Sequence, residues 1–97
     1  MRFEWDRRKE QANVAKHGLD FRTAALVFRD PDVLTVLDKR YEGIEERWIS
    51  LGLIEFQAIY VAHTVRENHD GEEIIRIISA RKATTREERR YYRQREG

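Results

Sequence analysis

The sequence has no cysteine, a single proline and no long apolar run. Without cysteine there is neither a disulfide nor a thiolate zinc site, which makes a reducing cytoplasm a suitable compartment. The N-terminus is charged where a signal peptide has an apolar stretch, and no segment approaches the roughly 20 apolar residues of a membrane span. We therefore expect a cytoplasmic protein without membrane contact, and its 97 residues suit one domain, 1–97.

The net charge of +1 hides an uneven distribution of charge along the chain. Residues 1–17 contain five basic and three acidic side chains, and residues 81–97 contain seven basic and three acidic ones. The two ends together carry +6, which leaves −5 for the middle. If the ends meet in the fold, they form a basic surface suited to phosphate or an acidic partner. Highly charged solvated helices give the same pattern.

Two helices are predicted after a short first strand at residues 3–5. Asp6 is a suitable N-cap for a helix over residues 7–17, and Asp20 is a suitable N-cap for a second one. In the second helix, apolar residues recur at the spacing of a core-facing stripe, and Pro31 marks its end.

Four strands and a final helix follow. Residues that favour strands occur in four segments, namely 33–37, 47–53, 57–66 and 73–83. Their short spacers predict antiparallel neighbours. Thr84 or Thr85 opens a capping box for a helix over 86–95, whose narrow apolar contact predicts weak docking or completion by a partner. The expected fold class is α+β, a small antiparallel β-sheet with two N-terminal helices and one C-terminal helix gathered on one face.

The strand over residues 73–83 carries cations at its exit. Regular alternation places Arg81 on one face, and Arg76 and Lys82 on the other. A rigid strand end presents such cations to a phosphate, although pairing with Glu72, Glu73 or Glu46 is the alternative. Two further polar clusters stand at predicted strand ends, namely Glu46 with Arg47, and His63 with Arg66.

RNA cleavage does not depend on the metal-binding and hydrolase motifs that this sequence lacks. The three histidines have no metal-ligand spacing, and no phosphate-binding glycine loop or serine hydrolase motif is present, so we expect no metal and no cofactor. The ribose 2′-hydroxyl is itself a nucleophile. A protein then needs only to align the backbone, stabilise charge at phosphorus and move protons. His63 is a candidate acid or base, or fills a half-buried position.

An ordered set of motifs resembles the BrnT toxin family. The set is Phe3-Glu4-Trp5-Asp6, Asn13 to Gly18, Phe21 with Ala24-Ala25, Val27 to Pro31, Glu46-Arg47, Gly52, Ile75 to Ala83, Glu88-Arg89 and Tyr91-Tyr92. The resemblance implies a RelE-like fold and a metal-independent endoribonuclease that arrests translation. It also implies neutralisation by a BrnA-like antitoxin, a dimeric ribbon-helix-helix protein that joins the toxin in a heterotetramer and alone contacts operator DNA.

The resemblance places the family's polar signature on Arg47 and Arg81, with Arg76 and Lys82 beside them. We assign Arg47 and Arg81 to phosphate binding and transition-state stabilisation, and Arg76 as the link between them. Lys82 and Arg66 are predicted substrate contacts. His63 and Glu46 are the candidates for proton transfer.

Two other functions fit the same residues. The first is a non-catalytic binding module or co-repressor subunit, which complexes a DNA-binding antitoxin through its charged surfaces. In the second, the protein binds nucleic acid through the basic C-terminal helix, with an affinity that falls steeply with salt.

Overall fold

Local capping signals set the ends of the helices. The computed structural model describes residues 1–97. Asp6 accepts hydrogen bonds from the backbone N–H groups of the first helical turn, and Gly18 ends that helix with a left-handed φ of 70°. Thr84 and Glu87 form a reciprocal capping box at the start of the last helix, as the sequence predicts.

Five strands, three α-helices and two 3-10 segments result. In chain order these are β1 (Arg2–Trp5), α1 (Arg7–His17), α2 (Phe21–Ala24), a 3-10 segment (Ala25–Arg29), β2 (Leu34–Leu37), a second 3-10 segment (Lys39–Tyr41), β3 (Trp48–Ile54), β4 (Gln57–Glu67), β5 (Glu73–Lys82) and α3 (Thr85–Glu96). The predicted α+β class is confirmed. None of the helices combines the length and the apolar character that a bilayer crossing demands.

The sheet is mixed, so the prediction of a wholly antiparallel sheet is wrong. Its strand order is β1-β5-β4-β3-β2, and β2 to β5 are antiparallel neighbours. β1 pairs with β5 in parallel, with Phe3 opposite Ile75. Short connections fix the direction of consecutive strands only. β1 and β5 are the first and last strands, and no hairpin constrains their relative direction.

The helices pack on both faces of the sheet, so the prediction that they share one face is also wrong. We name α2 and the 3-10 segment that follows it the α2 region. One core contains Phe21, Ala24 and Val27 of this region, together with Ile59 and Val61 of β4. The alternate β4 residues belong to a second core with Tyr91 of α3. Because successive strand residues point to opposite faces, α3 lies on the face opposite α2.

α3 is anchored firmly rather than weakly docked. Tyr91 has no exposed surface, and its hydroxyl donates to the Asp30 carboxylate. Gln94 donates to the carbonyl of Asp32 at 2.7 Å, and Arg95 pairs with the Asp32 carboxylate at 3.3 Å. A narrow apolar contact is therefore supplemented by polar contacts to the turn at residues 30–32.

A β-bulge changes which cations share a face. The register between β4 and β5 shifts between Ala62 and His63, so that Ala62 faces Ser79 while His63 faces Ile77. The extra residue in β5 inverts the alternation beyond it. Arg76 and Arg81 consequently both lie on the α3 face of the sheet, whereas regular alternation had predicted opposite faces.

Candidate functional site

Arg81 is held at the end of β5 by an aromatic ring and a carboxylate. Its guanidinium carbon lies 3.8 Å from the ring centroid of Tyr60, the residue opposite it on β4. The same guanidinium donates to both oxygens of Glu87, at 2.8 and 3.0 Å. A planar guanidinium between a ring and a carboxylate is a rigid group with its orientation fixed.

Glu87 has two roles at the start of α3. One of its oxygens accepts from the Thr84 backbone N–H at 2.8 Å, which completes the capping box, and the pair of oxygens binds Arg81. Partial burial opposes ionisation, but hydrogen bonds from Arg81 and the Thr84 backbone outweigh it and keep the pKa of Glu87 below its ordinary value. The Glu87 hydrogen bond raises the pKa of Arg81 in turn. Both groups are therefore charged at neutral pH.

Arg40 approaches Tyr60 from the segment after β2. The buried Asp38 carboxylate accepts from Nε and Nη2 of Arg40 at 2.9 and 2.7 Å, while the Arg40 side chain stays 70% exposed. Nη2 of Arg40 also lies 3.4 Å from the Tyr60 hydroxyl. The hydrogen bond from Arg40 lowers the pKa of Asp38 and so maintains this ion pair. A forked pair with one buried partner fixes the exposed guanidinium near Tyr60.

Arg47 completes the arrangement at the start of β3. Its guanidinium carbon lies 4.0 Å from the ring centroid of Tyr41, and Arg40 lies 5.9 Å from the same ring. Arg47 also forms an ion pair with Glu45, and its carbonyl accepts from the Asp38 N–H at 2.8 Å. Tyr41 therefore connects Arg47 to Arg40, and Tyr60 connects Arg40 to Arg81.

These contacts form one continuous group on the α3 face, which we name the arginine-tyrosine cluster. Its members are Arg40, Tyr41, Arg47, Tyr60 and Arg81, with the acidic partners Asp38, Glu45 and Glu87. Guanidinium groups present planar forks of donors that match the oxygens of a phosphate, and tyrosine rings offer stacking surfaces for bases. The cluster can therefore hold a nucleotide backbone and stabilise negative charge on it.

The structure brings the two principal predicted residues, Arg47 and Arg81, into this cluster. Arg76 and Arg66 lie on the same face but pair with Glu4 of β1, Arg76 at 3.7 Å. Arg76 is about 16 Å from Arg81 along the strand, so it does not link the two principal arginines. The alternative of ion pairs with Glu72, Glu73 or Glu46 is wrong, because Arg76 pairs with Glu4 and Arg81 pairs with Glu87.

Lys82 and His63 lie away from the cluster, and Glu46 lies at its edge. Lys82 is opposite Ile59, a residue of the core beneath α2, and so points to the other face. Glu46 directly precedes Arg47 and lines two exposed depressions, one with Thr35 and Trp48 and one with Asp38 and Glu45, but it forms no ion pair with an arginine of the cluster.

His63 is an interior residue. It is 1% exposed, its Nε2 lies 2.7 Å from the Ser50 hydroxyl, and its ring packs edge-on against Phe28 at 5.0 Å between centroids. Burial lowers the pKa of His63 to about 4, so the imidazole is neutral at pH 7. It has no path to a substrate on the α3 face.

Sequence reasoning missed Arg40, Tyr41, Tyr60 and Glu87. Arg40 and Tyr41 lie in a segment that resembles an ordinary spacer between strands. Tyr60 occupies a strand position typical of core residues, and only the pairing register shows that it lies beneath Arg81. The capping box did signal Glu87, but as a helix-start residue. No group of three or more histidine, aspartate or glutamate side chains is placed to hold a metal ion.

The fold and the cluster define a small α+β protein that presents an arginine-rich, tyrosine-lined surface suited to RNA. The family model described as the ribonuclease toxin, BrnT, of type II toxin-antitoxin systems matches residues 5–87. The chain therefore belongs to the BrnT family, and the predicted resemblance is confirmed. Membership implies ribonuclease activity and an antitoxin partner. No curated protein gives a significant match to the chain.

Proposed function

We propose that this protein is the toxin of a type II toxin-antitoxin pair, and that it cleaves RNA with the arginine-tyrosine cluster and without a metal ion. The observation that carries the proposal is the convergence of Arg40, Arg47 and Arg81 around two tyrosine rings. Three fixed guanidinium groups supply the positive charge that a phosphoryl transition state requires. We further propose that the fold is RelE-like, which the antiparallel β2–β5 sheet flanked by helices supports.

The proposed reaction is an in-line attack of the ribose 2′-oxygen on the adjacent phosphorus. The O2′–P bond forms as the P–O5′ bond breaks, leaving a 2′,3′-cyclic phosphate and a 5′-hydroxyl. Arg81 and Arg40 hold the phosphate oxygens on either side of Tyr60, and Arg47 stacked on Tyr41 holds the neighbouring nucleotide. Positioning and charge stabilisation together supply most of the rate enhancement in such a reaction.

Proton transfer is assigned to Glu87 and Tyr60. A phosphate bound by Arg81 takes the place of the Glu87 carboxylate at that guanidinium, which leaves the ionised Glu87 to accept the 2′-hydroxyl proton. Tyr60 donates its phenolic proton to the departing 5′ oxygen. These two replace His63, which is buried on the other side of the sheet, and Glu46, which forms no ion pair with an arginine of the cluster. Arg66 and Arg76 stand outside the chemistry because they pair with Glu4, far from Arg81 along the strands, and Lys82 does because it points to the other face.

The test uses purified protein, a defined single-stranded RNA and excess chelator. Arg81→Ala is expected to lower the cleavage rate by about 100- to 1,000-fold, because a charged donor to the transition state is lost. Arg76→Ala is the matched control, since it removes an arginine from the other end of the same strand. It should retain the rate within a few-fold. Full activity of Arg81→Ala, or cleavage of a substrate with 2′-deoxyribose at the scissile position, would overturn the mechanism.

We propose a BrnA-like ribbon-helix-helix dimer as the antitoxin, with two toxin chains bound to form a heterotetramer. The family membership supports an antitoxin, and the resemblance supports this type. Co-expression with the neighbouring short reading frame should give a complex whose mass, measured by light scattering, matches two toxin and two antitoxin chains. Operator DNA should bind to the complex and not to the toxin alone.

A non-catalytic binding module is the second candidate function. It is favoured by the acidic partners of the cluster, since Asp38, Glu45 and Glu87 already occupy its three arginines. A wild-type chain that binds antitoxin tightly, yet leaves RNA intact and does not stop growth when expressed alone, would establish this function instead.

A further inference from the structure

Four arginines form a stripe on the solvent side of α3. Arg86, Arg89, Arg90 and Arg93 follow the i, i+3, i+4 and i+7 spacing that places side chains on one face of a helix. All four are exposed, and none has an acidic partner within 4.0 Å. We name this set the α3 arginine stripe.

The stripe is unfavourable for the isolated helix. Each of its four neighbouring pairs, three or four residues apart, consists of like charges, which destabilise a helix. Arg86 also lies in the first turn, where the helix dipole disfavours a positive charge. The same helix begins with a complete capping box and is well anchored at Tyr91. Local helix stability therefore does not account for the stripe, and a bound polyanion would.

The stripe is continuous with the arginine-tyrosine cluster. Glu87 lines the same open hollow as the four arginines, and Glu87 is also the residue that binds Arg81. From Arg86 to Arg93 the stripe extends about 10 Å along the helix axis, which leaves room for more than one phosphate. A strand held at Arg81 can thus continue past Glu87 along the four arginines on the outer face of α3.

We propose that the α3 arginine stripe binds the phosphates of single-stranded RNA next to the scissile linkage. The inference rests on the proposed function, because it extends the same site. Guanidinium contacts to phosphate oxygens position a strand and carry no sequence information. The stripe therefore raises affinity for long RNA of any sequence and leaves the chemical step to the cluster.

The test measures binding of a 2′-O-methyl oligonucleotide of mixed sequence, which lacks the nucleophile and stays intact. The stripe variant carries Arg86→Ala, Arg90→Ala and Arg93→Ala. The control variant carries Arg7→Ala, Arg8→Ala and Lys9→Ala, which removes the same charge from the exposed first turn of α1. The logarithm of affinity is plotted against that of salt concentration. The slope should become shallower by about 2 in the stripe variant, and the control should keep the wild-type slope.

A second measurement compares cleavage of long and short RNA. The stripe variant should lose at least about tenfold in kcat/KM on a 20-nucleotide substrate and keep the wild-type value on a trinucleotide, which contacts the cluster alone. Thermal unfolding checks that the variant is folded, and its Tm should equal or exceed that of the wild type because like-charge repulsion is removed.

The outcomes separate this inference from the proposed function. A stripe variant with the wild-type salt slope and unchanged kcat/KM on long RNA overturns the stripe as an RNA site. Loss of antitoxin binding with an unchanged salt slope also overturns it and assigns the stripe to the protein partner. If wild-type protein binds the oligonucleotide with the expected slope but cleaves no RNA, the catalytic function fails while the binding site stands.

Discussion

We predict that the burial of His63 makes the folded protein less stable in mild acid than at neutral pH. The imidazole is enclosed between Phe28 and Ser50, and its Nδ1 has no hydrogen-bond partner. A second proton on the imidazole would place a positive charge in this buried environment. Desolvation accordingly lowers the pKa of His63 to about 4 from an ordinary value of 6.5.

The sign and size of the effect follow from linkage between protonation and folding. Because the folded state disfavours the charged imidazole, the stabilising contribution is complete above the unfolded pKa and is lost as pH falls from 6.5 through 4. The full difference corresponds to about 3 kcal/mol in the free energy of unfolding. About 2 kcal/mol of it disappears between pH 7 and pH 5.

The carboxylates contribute little to the change in the free energy of unfolding between pH 7 and pH 5. The pKa values of Glu4, Asp20, Asp30, Asp38 and Glu87 are lowered in the folded protein by hydrogen bonds and neighbouring cations. Their stabilising contributions are present above the unfolded carboxylate values, near 4, and are lost only at lower pH. The change between pH 7 and pH 5 therefore reports mainly on histidine.

Urea unfolding at pH 7, 6 and 5 makes the measurement. Wild-type protein should lose about 2 kcal/mol across this range. His63→Gln, although less stable at pH 7, should be nearly independent of pH, and the exposed-site control His17→Gln should behave like wild type. A wild-type free energy of unfolding that is flat from pH 7 to pH 5 would refute the reasoning, as would a steep pH dependence retained by His63→Gln.

Two packing predictions concern the attachment of the helices to the sheet. The buried amide of Asn13 makes three hydrogen bonds of 2.8 to 3.0 Å, two of them to the backbone of Ala80, so Asn13→Ala should lower the free energy of unfolding by about 3 kcal/mol. Guanidinium unfolding measures this against the exposed control Gln11→Ala, and a loss below about 1 kcal/mol would contradict it. A Cβ at Gly52 would lie 2.9 Å from Cγ1 and 3.0 Å from the carbonyl oxygen of Val27, so Gly52→Ala should destabilise the protein by about 1 to 3 kcal/mol. An unchanged Tm would contradict this prediction, because it would mean that Val27 shifts to make room for the added methyl group.

Signals carried by neighbouring residues were sufficient for the order of the strands and α-helices, but not for the two 3-10 segments, one of which replaces the second half of the predicted second helix. The caps at Asp6 and Asp20, the helical stripe before Pro31 and the capping box at Thr84 each act within a few residues, so they can be recognised without a fold. The family resemblance likewise depends on ordered residue types. The candidate site was predicted only in its two principal arginines.

The other features of the candidate site depended on how strands that are distant in the sequence pair with one another. The bulge beside Ala62 moved Arg76 onto the face of Arg81, and the β4–β5 register placed Tyr60 beneath Arg81. The fold of the segment after β2 brought Arg40 to Tyr60 from twenty positions away in the chain. Strand register is a property of two segments together, because one inserted residue reverses every side chain beyond it. The sequence by itself therefore indicated the helices, the strands and two candidate phosphate-binding arginines, and only the tertiary structure determined which side chains meet around them.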